Sequence, residues 1–152
     1  MALLMPLAGC GFHLRGAPTI PPEMATTYIA TNDRHSPFYR ELHRELLAAG
    51  VDVVDSPTDA SAVFSILFDE TDQRVLSVSA RNVPREYEVY YTVGYSVQSG
   101  ENLLLLPQEQ TVTRDYTYDE LLVLGKAREE ELLRDSIVDD LVRVVLIQLS
   151  SL

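Results

Sequence analysis

One thiol, three imidazoles and several runs of carboxylates are the groups in this chain that could do chemistry. Cys10 is the only cysteine, so no intrachain disulfide can form. A catalytic thiol has to be held as thiolate by a positive or basic neighbour, and nothing around Cys10 marks it as activated. His13 stands by itself in a Gly- and Pro-rich stretch, and His35 and His43 flank the start of a helix. No His-x3-His pair and no His/Cys cluster occurs, so no metal site is expected. Glu129-Glu130-Glu131 and Asp139-Asp140 read as a solvated helix face, the first group favourably placed against the helix dipole. There is no Gly-rich phosphate loop and no nucleophile elbow around a serine. The expectation is a chain with no catalytic residues, no metal and no cofactor, which acts by binding and is not an enzyme.

What remains for Cys10 is modification. Residues 1–9 are apolar and end in the small pair Ala8-Gly9 directly before the thiol. The run is too short to span a bilayer, which takes about 20 apolar residues, and reads as the remnant of a signal peptide. Leu7-Ala8-Gly9-Cys10 resembles the bacterial lipobox, in which small residues admit the peptidase and the thiol receives a diacylglycerol. A covalent lipid on Cys10 is therefore expected. Each buried CH₂ contributes about 0.8 kcal/mol, so several acyl chains would hold the chain on a membrane essentially permanently.

The rest of the chain divides into a tether, residues 10–24, dense in Gly and Pro, and a single domain, residues 25–152. A strand is expected over 25–31. Ser36-Pro37 opens a helix, Ser36 as cap and Pro37 at the first position. Phe38, Leu42 and Leu46 lie on one face of that helix, and Gly50 ends it. Residues 51–54, 62–68 and 74–80 read as strands, the last two separated by a polar interruption at 69–73. Residues 86–98 alternate Tyr and Val with polar residues, a two-residue period that predicts a long strand with one apolar face. Ser99-Gly100-Glu101-Asn102 is a hairpin turn, and 103–118 is the returning strand, with Pro107 marking an edge or an irregularity. A second helix over 127–149 presents Leu133, Ile137, Leu141, Val144, Val145 and Leu149. The fold expected is α+β, a two-layer sandwich with two helices on one face of a mixed or antiparallel sheet of about four strands.

A net charge of -11 argues against nucleic acid and against adhesion to anionic lipid surfaces. Any anionic ligand must be met by a local basic group. Tyr87, Tyr91 and Tyr95 are expected in the core, with Tyr90, Tyr116 and Tyr118 on the other side of the sheet, where an aromatic face would suit packing against a partner.

Gly9-Cys10-Gly11-Phe12-His13-Leu14-Arg15-Gly16 resembles the start of the LPS-assembly lipoprotein family, LptE. Tyr118-Asp119-Glu120, running through Leu124-Gly125-Lys126 into Glu129-Glu130-Glu131, is a further match. The resemblance implies an outer-membrane lipoprotein, lipid-anchored on the periplasmic side, that sits in the lumen of the large β-barrel LptD. There it would help that barrel assemble, partly plug it and assist delivery of lipopolysaccharide to the outer leaflet. It also implies lipopolysaccharide contacts at Lys126, before the last helix, and at Arg81, in the tip between two long strands, with Arg85 as a competitor for the tip role. The alternative is another lipid-anchored periplasmic binding protein, such as an auxiliary lipoprotein of a lipid-transport ABC system.

Overall fold

The computed structural model describes residues 19–117 and 123–152, without the side chains of residues 123–127 and 129. A short 3-10 turn, Pro22–Met24, leads into β1 (Thr26–Ala30). Then follow α1 (Pro37–Ala48), β2 (Asp52–Val54), a second 3-10 turn (Pro57–Asp59), β3 (Ala62–Val78), β4 (Pro84–Ser99), β5 (Asn102–Thr117) and α2 (Val123–Leu149). Met24 is fully buried and Ile20 packs against the core, so packing begins before β1.

The strands form one mixed sheet in the order β2-β1-β3-β4-β5. β1 runs parallel to both β2 and β3, and the remaining pairs are antiparallel. The sheet thus has five strands rather than about four. The short β2, expected over 51–54, is one of them and pairs at the edge with β1. The polar interruption at 69–73 does not break β3, which stays paired with β4 through Asp69↔Val93 and Gln73↔Val89. Hydrogen bonding along the ladder is indifferent to side-chain polarity, and the outward faces of these residues meet water.

Local chemistry explains the helix ends. The Ser36 hydroxyl accepts from the Tyr39 backbone N–H at 3.1 Å. At the other end Val51 N–H donates to Leu46 C=O and Gly50 N–H to Leu47 C=O, both at 3.0 Å, which is a Schellman motif. Gly50 sits at φ +86°, where a side chain would be strained. Gly100, at φ +57°, closes the two-residue turn between Ser99 and Asn102. Pro107 lies on the edge strand at a register shift between Tyr95↔Gln108 and Val97↔Leu105.

Both helices cover the same face. Phe38, Leu42 and Leu46 of α1 and Ile137, Leu141, Val145 and Leu149 of α2 meet Phe64, Ile66, Val93, Tyr95 and Val97 of the sheet. The α2 stripe is rotated from the expected one. Val138, Val142 and Leu146 are buried and Val144 is exposed, because the helix must also pack sideways on α1. The helix also begins at Val123, four residues before the expected start.

Candidate ligand and partner surfaces

The long strands extend well past the apolar core. From Phe64 to Tyr95 the helix-side face is closed by side chains such as the stacked Phe64 and Tyr95 rings, 5.5 Å apart. The Tyr95 hydroxyl donates to Gln148 of α2, and Gln148 donates to Gln108 at 2.6 Å. Farther along, the contacts turn polar. Arg114 pairs with Asp140, and Arg134 donates to Glu130 and, at 2.6 Å, to the Thr71 hydroxyl. Tyr116 stacks on Tyr87 at 5.6 Å and donates to Gln73 at 3.3 Å. Burial, then the neighbouring Glu130 carboxylate, pushes the Tyr116 phenol pKa up. Tyr116 therefore lies under α2, not on the opposite side as expected. The bulge at Leu106 and Pro107 shifts the register of β5, so counting from the turn misplaces its faces. Tyr90 does lie on the open side, and Tyr118 falls outside the described residues.

At the far end β3 and β4 join through a compact tip. Ser79 N–H donates to Val83 C=O at 2.7 Å and Asn82 N–H to Ser79 C=O at 2.9 Å, with Asn82 in the left-handed region at φ 60°. Asn tolerates that conformation better than most residues. Arg81 sits exposed in this tip, and Arg85, also exposed, follows at the start of β4. Neither guanidinium has an ion-pair partner among the described residues, whereas Arg34, Arg44, Arg74, Arg114, Arg128, Arg134 and Arg143 all do. The nearby acids have partners of their own. Glu86 accepts from the Ser77 hydroxyl at 2.7 Å and Glu88 holds Arg74 at 2.5 Å.

Three exposed aliphatic residues stand just below the two arginines: Val75, Leu76 and Val78, each about half exposed. Sequence reading missed them, because they look like an ordinary strand continuation. Their signal was a run of β-branched and aliphatic residues beside a turn with no apolar partner run of its own. α2 runs from the tip end of the sheet toward the opposite end, as Glu130 beside Tyr116 and Gln148 beside Tyr95 show. Lys126 therefore belongs to the tip end, inside the first turns of α2 rather than before the helix. Its side chain is outside the described residues, and so is Cys10. The tip thus pairs unpaired guanidinium groups with exposed apolar area, which is the chemistry of an anionic amphiphile site.

Comparison with known proteins decides the family. A family model described as "LptE: Lipopolysaccharide-assembly" matches residues 24–149, nearly the whole described domain. The chain belongs to the LptE family. It is similar to the LPS-assembly lipoprotein LptE of Yersinia enterocolitica, 30% identical over 147 residues, covering 92% of this chain and 70% of that protein. The LptE of Pectobacterium atrosepticum is also 30% identical, covering 84% of this chain and 69% of its own length. Among solved structures, lipoprotein B from Nitrosomonas europaea superposes with a TM-score of 0.78 at 28% identity, covering 93% of this chain and 91% of that one. The rare lipoprotein B from Shewanella oneidensis gives 0.73 at 25% identity, covering 83% and 94%. These LptE relatives are named for lipopolysaccharide assembly, not for a reaction. Among the described residues no helix is long and apolar enough to cross a membrane.

Proposed function

We propose that this chain is lipidated on Cys10, held at the outer membrane, and binds the lipopolysaccharide-translocating β-barrel LptD, which it helps to assemble and partly plugs. Its β3–β4 tip assists insertion of lipopolysaccharide into the outer leaflet. Membership of the LptE family supports this reading, and the observation that carries the ligand role is the tip. Arg81 and Arg85 are unpaired there, beside exposed Val75, Leu76 and Val78. Lipid A presents phosphates and acyl chains together. Guanidinium groups meet the phosphates, Arg81 and Arg85 bidentately, with Lys126 as a point charge. The aliphatic residues meet the chains.

The test of the partner is a detergent pull-down of the tagged full-length protein from outer membranes, with mass spectrometry of what accompanies it. A stoichiometric large β-barrel is expected. Recovery alone, or with inner-membrane ATPase components, overturns the reading in favour of an auxiliary lipoprotein of a transport system. For the ligand, Arg81→Glu with Arg85→Glu is expected to weaken binding of purified lipopolysaccharide by roughly tenfold or more, since a hydrogen bond to a charged group is worth about 1.5–3 kcal/mol. Lys126→Glu is expected to act in the same direction. Unchanged affinity in both variants removes the tip from the ligand site.

A further inference from the structure

The turn that carries Arg81 is more tightly built than its place in the fold requires. Ala80, Arg81 and Asn82 join Ser79 to Val83, and the contacts that close the turn all involve Ser79. The Ser79 N–H donates to the Val83 C=O at 2.7 Å, and the Ser79 C=O accepts from the Asn82 N–H at 2.9 Å. The Ser79 hydroxyl accepts from the Val83 N–H at 3.2 Å. Asn82, at φ 60°, is the only non-glycine residue with positive φ among the described residues. Three-residue hairpin loops commonly end on such a residue, and asparagine adopts that conformation at lower cost than most. Glycine would adopt it freely, but would leave the turn more alternative conformations.

None of this order serves the core. Along β3 and β4 the core cluster and the side chains packed on it skip from Ile66 to Tyr87. Ala80, Arg81 and Asn82 are all exposed. Strain that packing does not demand collects where a chain binds or switches. What the turn does fix is the origin of one side chain. Arg74 is oriented by Glu88 and Arg134 by Glu130. Arg81 has no such partner among the described residues, so its direction rests on its backbone alone. Arg85 is held differently, by its place within β4. A loose turn would have to be ordered at each binding event, and apparent affinity falls with the fraction of molecules in the competent form.

We propose that Ser79 and Asn82 are positioning residues, which preset the backbone of the tip so that the Arg81 guanidinium meets a phosphate of the anionic amphiphile already aimed. The inference rests on the ligand role of the tip given above. It adds two uncharged residues that set the affinity by acting through Arg81.

The test is a double-mutant cycle on the full-length lipoprotein, read by binding of purified lipopolysaccharide at several salt concentrations, with thermal unfolding followed for every variant. Arg81→Ala, Asn82→Val and Ser79→Ala are compared singly, and the last two also in the Arg81→Ala background. Asn82→Val and Ser79→Ala are each expected to weaken binding about threefold to tenfold, with unfolding unchanged. Both are expected to flatten the salt dependence as Arg81→Ala does, because an ion pair that is no longer made is no longer screened. In the Arg81→Ala background neither is expected to weaken binding further. Asn82→Gly, which keeps the left-handed conformation open, is expected to stay within about twofold. Losses that add in the pairs overturn the proposal, and so does a salt dependence that Asn82→Val and Ser79→Ala leave as it was. Unchanged affinity of both beside a weakened Arg81→Ala also overturns it, and leaves the ligand role of the tip standing. Unchanged affinity of Arg81→Ala removes Arg81 from the ligand site, and the positioning role with it. Should Asn82→Val unfold more easily, Ser79→Ala and its pair with Arg81→Ala decide.

Discussion

Tyr91 and Tyr95 place their phenols between the sheet and the helices, and each is tied to a different element. The Tyr91 hydroxyl donates to Asp69 of β3, and that of Tyr95 to Gln148 of α2. Burial raises both pKa values above the ordinary 10.0, and the Asp69 carboxylate raises that of Tyr91 further. A raised folded-state pKa means the folded chain holds these protons more tightly than the unfolded chain. Their contribution to stability is complete below pH 10.0 and is lost as pH climbs through the folded values. An ultraviolet titration should therefore show these phenols ionising late and together with unfolding, while exposed tyrosines titrate normally. Tyr91→Phe should remove part of that lag. Two simpler residues set helix boundaries. Ser36→Ala should cost about 1 kcal/mol through loss of the cap. Gly50→Ala should cost about 1–2 kcal/mol through left-handed strain, both measurable by denaturant unfolding.

At the scale of elements, α2 is two helices in energetic terms. From Ile137 onward it buries side chains in the core, with Leu141, Val145 and Leu149 fully enclosed. Before that point it holds the sheet through Arg134, Glu130 and their polar partners. Leu141→Ala should cost about 2–5 kcal/mol, whereas Leu132→Ala, at an exposed position, should stay within about 0.5 kcal/mol. Amide exchange should be faster in the turns around Arg128 to Arg134 than in those after Ile137. The sequence showed α1 fully, because a cap, a three-residue apolar stripe and a Gly stop agree there. It showed β4 for the same kind of reason, an unbroken two-residue period. It concealed the face of Tyr116, which a bulge at Pro107 reverses. It concealed the start of α2 as well, since Val123 and Leu124 precede a glycine that normally argues against helix. Of the candidate site, Arg81 was reached only through the family resemblance, as the basic residue of the tip between two long strands. Its freedom from ion pairs and the aliphatic residues beneath it depend on register and exposure, which no local pattern encodes.

At the scale of the whole molecule, the two ends have different work. The chain enters at the end where Ser61 donates to Glu23 and Thr26 carbonyls and Ser99 donates to Ser61. The tip with Arg81 is at the opposite end of the same strands. Cys10→Ser should move the full-length protein from the membrane to the soluble periplasmic fraction, with its unfolding midpoint unchanged, because Cys10 precedes every packed residue described. Retention of the variant on membranes would show that protein contacts suffice to hold it.

The span of β4 sets a length scale. Its sixteen residues extend for about 50 Å at the usual rise per residue. A bilayer with its headgroups is about 40–45 Å thick. On the proposed reading, a domain fastened at one end to one leaflet, and seated in a pore from that side, would carry its opposite end to the far leaflet without its fastening ever leaving the near one. Reach across the membrane would then be a fixed dimension of the folded hairpin, and shortening β3 and β4 by one matched pair of residues at a time would withdraw the tip in steps of about 3.3 Å.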